Sequence, residues 1–347
     1  MLKKVSIHEV AKKARVSPAT VSNVVNRRRS TDDAIGRRVL AAVKELGYQP
    51  HRAAANLRSG KASVVAVVMP EIENPFFMAI VSALEALACD AGYELIVASS
   101  NEDEETEASR LAAILAWRPV GVIAIPTVDV FHARKLIEAS DTPYVVLDRT
   151  SEELYCDTVC VDNRGAGEAI VDHLAEIGCR DLMIVASSLK TLNMRERCDG
   201  TRNAAQAHGF RAVKIVEAGK DYIIASDLLR DKLDGADLPD AIVAMTNPLT
   251  LSTLSATTQL GIRIPGDLAL VGFDDYEWML ARATPVTGVF QPVNQIAEAA
   301  WSCLTARIAG SQEQLQSIRF DCELFPRTST TGFKPASRIA NNRMGRA

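Results

Sequence analysis

Between residues 63 and 272, short apolar runs alternate with helical segments, and this alternation limits the fold of the 347-residue chain more than any other feature. The run "SVVAVVM" at 63–69 has the unbroken apolar character of a strand covered on both faces. Helical periodicity follows at 75–91, then strand 93–98, helix 104–117, strand 120–125, helix 131–139 and strand 144–147. The pattern resumes with strand 159–161, helix 166–177, strand 182–186, helix 196–208 and strand 213–217. Helix 223–233, strand 241–245, helix 249–260 and strand 268–272 complete it. Such a rhythm predicts parallel sheets with helices on both faces, and its length predicts two of them. Ligands of open parallel sheets bind beyond the C-terminal ends of the strands.

The net charge of −4 conceals a division. Residues 1–61 carry +10 and the remainder −14, the signature of a basic nucleic-acid or membrane module on an acidic body. No run of about 18 apolar residues is present, so no transmembrane helix is expected. The N-terminal lysines have no apolar core behind them, which predicts a cytoplasmic protein without a signal peptide. Cys89, Cys156, Cys160, Cys179, Cys198, Cys303 and Cys322 are odd in number and scattered, which argues against disulfides or zinc and predicts buried reduced thiols. The five histidines show no ligand spacing, so no metal is expected. Arg164-Gly165-Ala166-Gly167 matches part of a dinucleotide-binding turn, but Ile170 stands where a third glycine is needed. That predicts a closely packed helix start. No nucleophile elbow, P-loop or supported acid pair is found, so neither a cofactor nor enzymatic activity is expected.

In the basic head, Val5, Ile7, Val10, Ala11 and Ala14 recur at helical spacing. Ser17 suits an N-cap and Pro18 the first position of a second helix. Val21, Val24 and Val25 share its inner face, while Ala19, Ser22, Asn23 and Asn26 lie opposite. Arg27, Arg28 and Arg29 follow. A third helix is predicted over 32–46, capped by Ser30 or Thr31 and ended by Gly47, with Val39, Ala42, Val43 and Leu46 buried. Two short helices joined by a tight turn, with small or amide side chains outward, fit a helix-turn-helix.

"SIHEVAKKARVSPATVSNVVN", together with "RRVLAAVKELGYQPHRAAANLRSGK", resembles the head of the lactose-repressor (LacI) family over nearly all of residues 5–61. The landmarks "IENPFF", "YELIVASSNEDEETE", "VVLDR" and "GIRIPGDLALVGFDD" resemble its core, so the likeness spans about 330 residues. The implied architecture is an all-α helix-turn-helix head at 1–50 and a hinge helix or linker at 51–61. An α/β core at 62–333 follows, like a periplasmic sugar-binding protein, with two subdomains of parallel sheets. The N-subdomain would take about 62–160 and 290–320, and the C-subdomain about 161–289 and 321–333. Residues 334–347 are polar and basic, which predicts a disordered tail without the heptads of a tetramerising coil.

The resemblance implies roles by position. Pro18, Ala19 and Asn23 would contact bases, and Ser17, Thr20, Ser22, Asn26, Arg27 and Arg28 the DNA backbone. Ala54, Leu57 and Arg58 would enter the minor groove, Leu57 wedging between base pairs and kinking the duplex. Relatives often carry arginine where this chain has Asn23. Asparagine suits adenine and arginine suits guanine, which predicts an A·T preference here. Ile35-Gly36 replaces the usual Thr-Arg of the third helix, and Gly36 is expected to cost about 1 kcal/mol against alanine. In the core, Phe76, Phe77, Asp148, Arg149, Arg195, Arg197, Asn247, Asp274 and Gln291 would contact the effector. Aromatic faces, amides, arginines and carboxylates suit a polyhydroxylated ligand, and the arginines favour a sugar acid or phosphorylated sugar over a neutral one. Sequence alone leaves Phe76 and Phe77 as ligand contacts or core, Asp148 and Asp274 as contacts or strand-end caps, and Trp278 as pocket wall or sheet cover. Where relatives often have Asn-Asp, this chain has Asn247-Pro248.

Together these readings predict a homodimeric regulator that binds pseudo-palindromic operator DNA and is switched by a sugar or sugar acid, with release of DNA as the expected response. The alternatives are a periplasmic solute-binding protein and a nucleotide-using α/β enzyme. The basic head opposes the first, and the broken glycine motif the second.

Overall fold

The computed structural model describes residues 5–25, 30–48 and 64–334. The chain forms two compact units, Met1–Ser63 and Val64–Ala347.

In the first unit, α1 (Ile7–Ala14), α2 (Pro18–Val25) and α3 (Ala34–Leu46) pack around Val10, Ala11, Ala14, Val21, Val24, Val39 and Ala42. Each boundary has a local cause. Ser6 and Glu9 form a reciprocal capping box at the start of α1. Arg15, in the left-handed region at φ 54°, ends it. The Ser17 hydroxyl accepts the Thr20 N–H at 3.1 Å and so caps α2. α3 begins two residues later than the sequence suggests, because Asp33 rather than Ser30 or Thr31 is its cap and accepts the Gly36 N–H at 2.5 Å. Ser30 instead accepts the Asp32 N–H at 3.2 Å, which holds a turn ahead of the helix. That turn also revises the reading of Gly36. A Cβ there would lie 2.6 Å from the Thr31 carbonyl oxygen and 2.7 Å from that of Ser30. Glycine at 36 is therefore what lets the turn close, and alanine would clash. Gly47, at φ 62°, ends α3.

The second unit holds two six-stranded sheets. The first lobe is built on β1 (Val64–Met69), β2 (Glu94–Ser99), β3 (Gly121–Ala124), β4 (Tyr144–Leu147), β5 (Asp157–Val161) and β11 (Ser317–Phe320), ordered β11-β5-β4-β3-β1-β2. The second lobe uses β6 (Asp181–Ala186), β7 (Ala212–Glu217), β8 (Ala241–Ala244), β9 (Ala269–Phe273), β10 (Thr287–Phe290) and β12 (Glu323–Phe325), ordered β12-β10-β9-β8-β6-β7. Described pairings are parallel except β10 with β12. Connecting helices are α4 (Pro75–Asp90), α5 (Glu104–Leu115), α6 (Arg134–Ala139), α7 (Asn163–Glu176), α8 (Leu192–Ala207), α9 (Tyr222–Leu233), α10 (Asn247–Gln259), α11 (Glu277–Leu280), α12 (Val293–Ile308) and α13 (Thr328–Thr331). The chain passes between lobes after Val161, after Phe290 and between Phe320 and Glu323. Each sheet is covered on both faces by apolar clusters, which is why its central strands β1, β3, β4, β8 and β9 read as unbroken apolar runs.

The glycines after Arg164 serve helix packing. A Cβ on Gly167 would lie 2.5 Å from the Thr201 nitrogen, and one on Gly200 only 2.3 Å from the Arg164 carbonyl oxygen. α7 and α8 thus meet backbone to backbone. Gly200→Val should lower stability by about 1–3 kcal/mol through overpacking, read as a drop in the urea midpoint at unchanged m-value. A midpoint equal to that of the wild type would contradict this contact.

The thiols depart in part from expectation. Cys156, Cys160, Cys179, Cys198 and Cys303 are buried, but Cys322 is half-buried and Cys89 exposed. Burial pushes Cys156, Cys179, Cys198 and Cys322 up to about 12 and Cys160 up to about 11, which leaves them protonated and unreactive at neutral pH. Among the described residues, no helix is long and apolar enough to cross a membrane.

Candidate functional site

A cavity of about 580 Å³ lies between the lobes, beyond the C-terminal ends of the strands. In each sheet the strand order reverses at the lobe's first strand, β1 or β6, so the loops after neighbouring strands diverge and leave a crevice. The first lobe contributes Glu71, Asn74, Phe76 and Phe77 after β1, Glu102 after β2, Thr127 after β3, and Asp148 and Arg149 after β4. The second lobe contributes Asn193, Met194 and Arg197 from α8, Thr246 and Pro248 after β8, Asp274 after β9 and Gln291 after β10.

Arg197 is the centre of the site. It is 4% exposed, and its guanidinium lies over the Phe273 ring at 3.7 Å. Nε donates to Asn163 Oδ1 at 2.7 Å and one Nη to the Met245 carbonyl at 3.1 Å. This bracing fixes the planar head against the cavity with its remaining donors uncommitted. Asp274 accepts from Gln291 Nε2 at 2.6 Å. Burial pushes its carboxyl above the ordinary value, and Arg197 and Gln291 oppose that shift. Asp148 accepts from Asn193 Nδ2 at 2.9 Å, a bond that joins the lobes. Both aspartates hold positive φ, 57° for Asp148 and 69° for Asp274, which turns the chain sharply at the strand end. An arginine, two carboxylates and an amide lining one cavity can grip vicinal hydroxyls through paired donors and acceptors.

Phe76 and Phe77 serve both readings left open by the sequence. Each lines the cavity, and each is embedded in the core of the first lobe. Asn74 accepts the Phe76 N–H at 3.0 Å and sets where α4 starts. Arg149 lines the cavity but is occupied. It forms a two-bond pair with Glu102 at 2.7 and 2.6 Å and donates to the Thr127 carbonyl at 2.8 Å. Arg195 does not line the cavity; it pairs with Asp129. Asn247, expected as an effector contact, is buried with Nδ2 unpartnered and does not line the cavity, whereas its neighbours Thr246 and Pro248 do. Trp278 covers the sheet of the second lobe, packed on its apolar cluster.

Sequence reasoning missed Glu71, Glu102, Thr127, Lys190, Asn193, Lys220 and Thr246. Glu71, Thr127 and Thr246 follow strand ends, so the rule that found Asp148 and Asp274 also reaches them. Asn193 is presented by α8, whose start at Leu192 precedes the predicted start by a turn. Nothing local in the sequence distinguishes Lys190 or Lys220.

In the first unit, Ala19 and Asn23 are exposed on the outer face of α2, and Pro18, Thr20 and Ser22 are half-buried beside them. Ser17 and Thr20 hydroxyls lie 2.9 Å apart, so their placement is fixed by the cap itself. Asn26, Arg27, Arg28, Ala54, Leu57 and Arg58 lie outside the described residues, as does the predicted tail beyond Lys334.

Known proteins share both parts. The profile of the lacI family of bacterial regulatory proteins matches residues 6–51, and that of the periplasmic binding protein-like domain matches 171–330. The HTH-type transcriptional regulator PtxS of Pseudomonas plecoglossicida is 30% identical over 331 residues, covering 94% of this chain and 96% of that protein. The ribose operon repressor of Halalkalibacterium halodurans is 28% identical over 329 residues, with 94% and 97% covered. Among solved structures, the lac repressor dimer bound to operator and an anti-inducer has a TM-score of 0.83 at 23% identity, with 94% and 99% covered. The complex of the regulator CelR with cellobiose has a TM-score of 0.70 at 26% identity, with 94% and 100% covered. The 30% identity to PtxS across almost the whole of both chains settles the matter: this chain belongs to the lacI family of bacterial regulatory proteins and is a DNA-binding transcriptional regulator, not an enzyme.

Proposed function

We propose that the chain is a cytoplasmic, homodimeric repressor whose operator affinity is switched by a sugar or sugar acid bound between the lobes. The observation that carries the effector assignment is the braced Arg197 lining, with Asp148 and Asp274, a cavity large enough for a small sugar. Arg197, Asp148, Asp274 and Gln291 would hold hydroxyls, and Phe76 would cover a sugar face. Because Glu102 neutralises Arg149, a ligand carboxylate would fall to Arg197 or Lys190. The relatives include a ribose operon repressor and a regulator solved with cellobiose, which supports a sugar-like ligand.

At the operator, Pro18, Ala19 and Asn23 would read bases, and Ser17, Thr20, Ser22, Asn26, Arg27 and Arg28 would position the head on phosphates. Residues 51–61 would form the hinge, with Ala54, Leu57 and Arg58 in the minor groove. Dimerisation would pair two heads on one pseudo-palindrome. A ligand shifts such a switch only through different affinities for its two states, and tenfold derepression needs about 1.4 kcal/mol.

The test is operator binding by fluorescence anisotropy, titrated with a panel of sugars and sugar acids. At least one member should release the operator in the wild type. A panel that leaves operator affinity unchanged throughout, while none of its members binds by calorimetry, would contradict the effector assignment. Asn23→Arg should shift the preferred pair opposite that residue from A·T to G·C, a discrimination of about 1–3 kcal/mol. An invariant guanine opposite wild-type Asn23 in selected sites would overturn that reading.

A further inference from the structure

α8 lacks a cap of its own. Thr191 sits at the N-cap position, but its side chain makes no capping bond. The bond is supplied from the other lobe. Asp129, in the loop after β3, accepts the Leu192 N–H with Oδ1 and pairs through Oδ2 with Arg195 Nη2 at 2.5 Å. One carboxylate thus satisfies the first amide of α8 and a cation on its first turn, in the direction the helix dipole favours. That same turn presents Asn193 and Met194 to the cavity, and the next turn presents Arg197.

Other polar contacts also cross between the lobes, and they differ in leverage. Glu71 and Lys220 meet at 2.9 Å, and Asp148 meets Asn193. Arg319 reaches Glu196 from β11, next to the crossover at residues 321–322. A contact beside a crossover survives rotation about it. β3 is not a crossover strand, so opening the cleft must break both bonds of Asp129 and leave the start of α8 uncapped.

We propose that Asp129 is the latch of the effector cleft, holding it closed by capping α8 from the opposite lobe, with Arg195 as its clamp. The proposal rests on the reading of this cavity as the effector site. Its test reads geometry alone, so either can fail without the other. Arg195 therefore acts on closure and not on the ligand. A ligand that prefers the closed cleft binds more weakly as the closed fraction falls.

The experiment is pulsed electron paramagnetic resonance on the full-length chain in a Cys89→Ser background. Spin labels are placed through Lys135→Cys on α6 and Gln206→Cys on α8, both exposed positions on opposite lobes. Labelled chains are diluted with unlabelled ones so that only distances within a chain are read. Asp129→Ala and Arg195→Ala should each raise the open-to-closed ratio by about tenfold, the scale of one charge-assisted bond. Asp129→Ala combined with Thr191→Asp restores a cap within the second lobe and keeps α8 formed. The longer distance should persist in it. Distributions that overlay with the wild type in both single variants would overturn the latch. So would a return to the short distance in the combined variant, because Asp129 would then be only a helix cap.

Discussion

Arg197→Leu is expected to abolish the effector response, raising the effector Kd by more than about 100-fold, while the chain still binds operator. The guanidinium is almost wholly buried and is the cation facing Asp274. Losing the guanidinium leaves the buried Asn163 Oδ1 and Met245 carbonyl without this donor, at about 1–3 kcal/mol each. The ligand loses its paired donors, and the protein loses stability. Arg197→Lys keeps the charge but loses the planar fork and the stacking on Phe273, so it should rescue stability more than binding. The pH dependence has a definite sign. Burial already holds the Asp274 carboxyl above its ordinary value, and Arg197 restrains that rise. Without Arg197 the folded value climbs further. A carboxyl whose folded value is raised is most favourable when protonated. The stability deficit of Arg197→Leu should therefore shrink as pH falls from 7 towards the ordinary carboxylate range, and grow as pH rises through the folded value. Thermal melts across that window check it. A deficit independent of pH would point to lost packing instead.

Ile224→Asp should yield monomers and weaken operator binding by about 10²–10⁴-fold, since two heads on one site bind through effective concentration. Tyr222, Ile223 and Ile224 open α9 at 47%, 66% and 65% exposure. Leu251 on the neighbouring α10 is 37% exposed, and Ser252 Oγ of that helix donates to the Tyr222 carbonyl at 3.0 Å. Contiguous large apolar side chains are seldom left in water without a partner surface. Because Ile224 is exposed within the chain, its replacement should leave the fold of each subunit intact. Sedimentation should show monomers with wild-type circular dichroism. A dimer of unchanged affinity would place the interface elsewhere.

Strand-and-helix rhythm is legible because central strands covered on both faces are almost wholly apolar, and the number of strand–helix units implies two sheets. Arg197, Asp148 and Asp274 were legible because family position and strand-end logic agree on them. The partners of Arg149 and Arg195 are not legible, because Glu102 and Asp129 lie in other loops and no local pattern shows that each guanidinium is already paired. The start of α8 was placed late because its cap comes from 63 positions away in sequence. Helix propensity makes Gly36 a cost because it ignores the carbonyl groups of the turn that crowds this position.

Two helix-turn-helix heads are expected to read one operator. Selection of bound sequences from random duplex DNA by the purified full-length chain, at moderate salt, tests it most directly. An enriched pseudo-palindrome with a kinkable central step and an A·T pair opposite Asn23 is the expected result. Failure to enrich any sequence, both alone and with a pool of sugars and sugar acids, would contradict it.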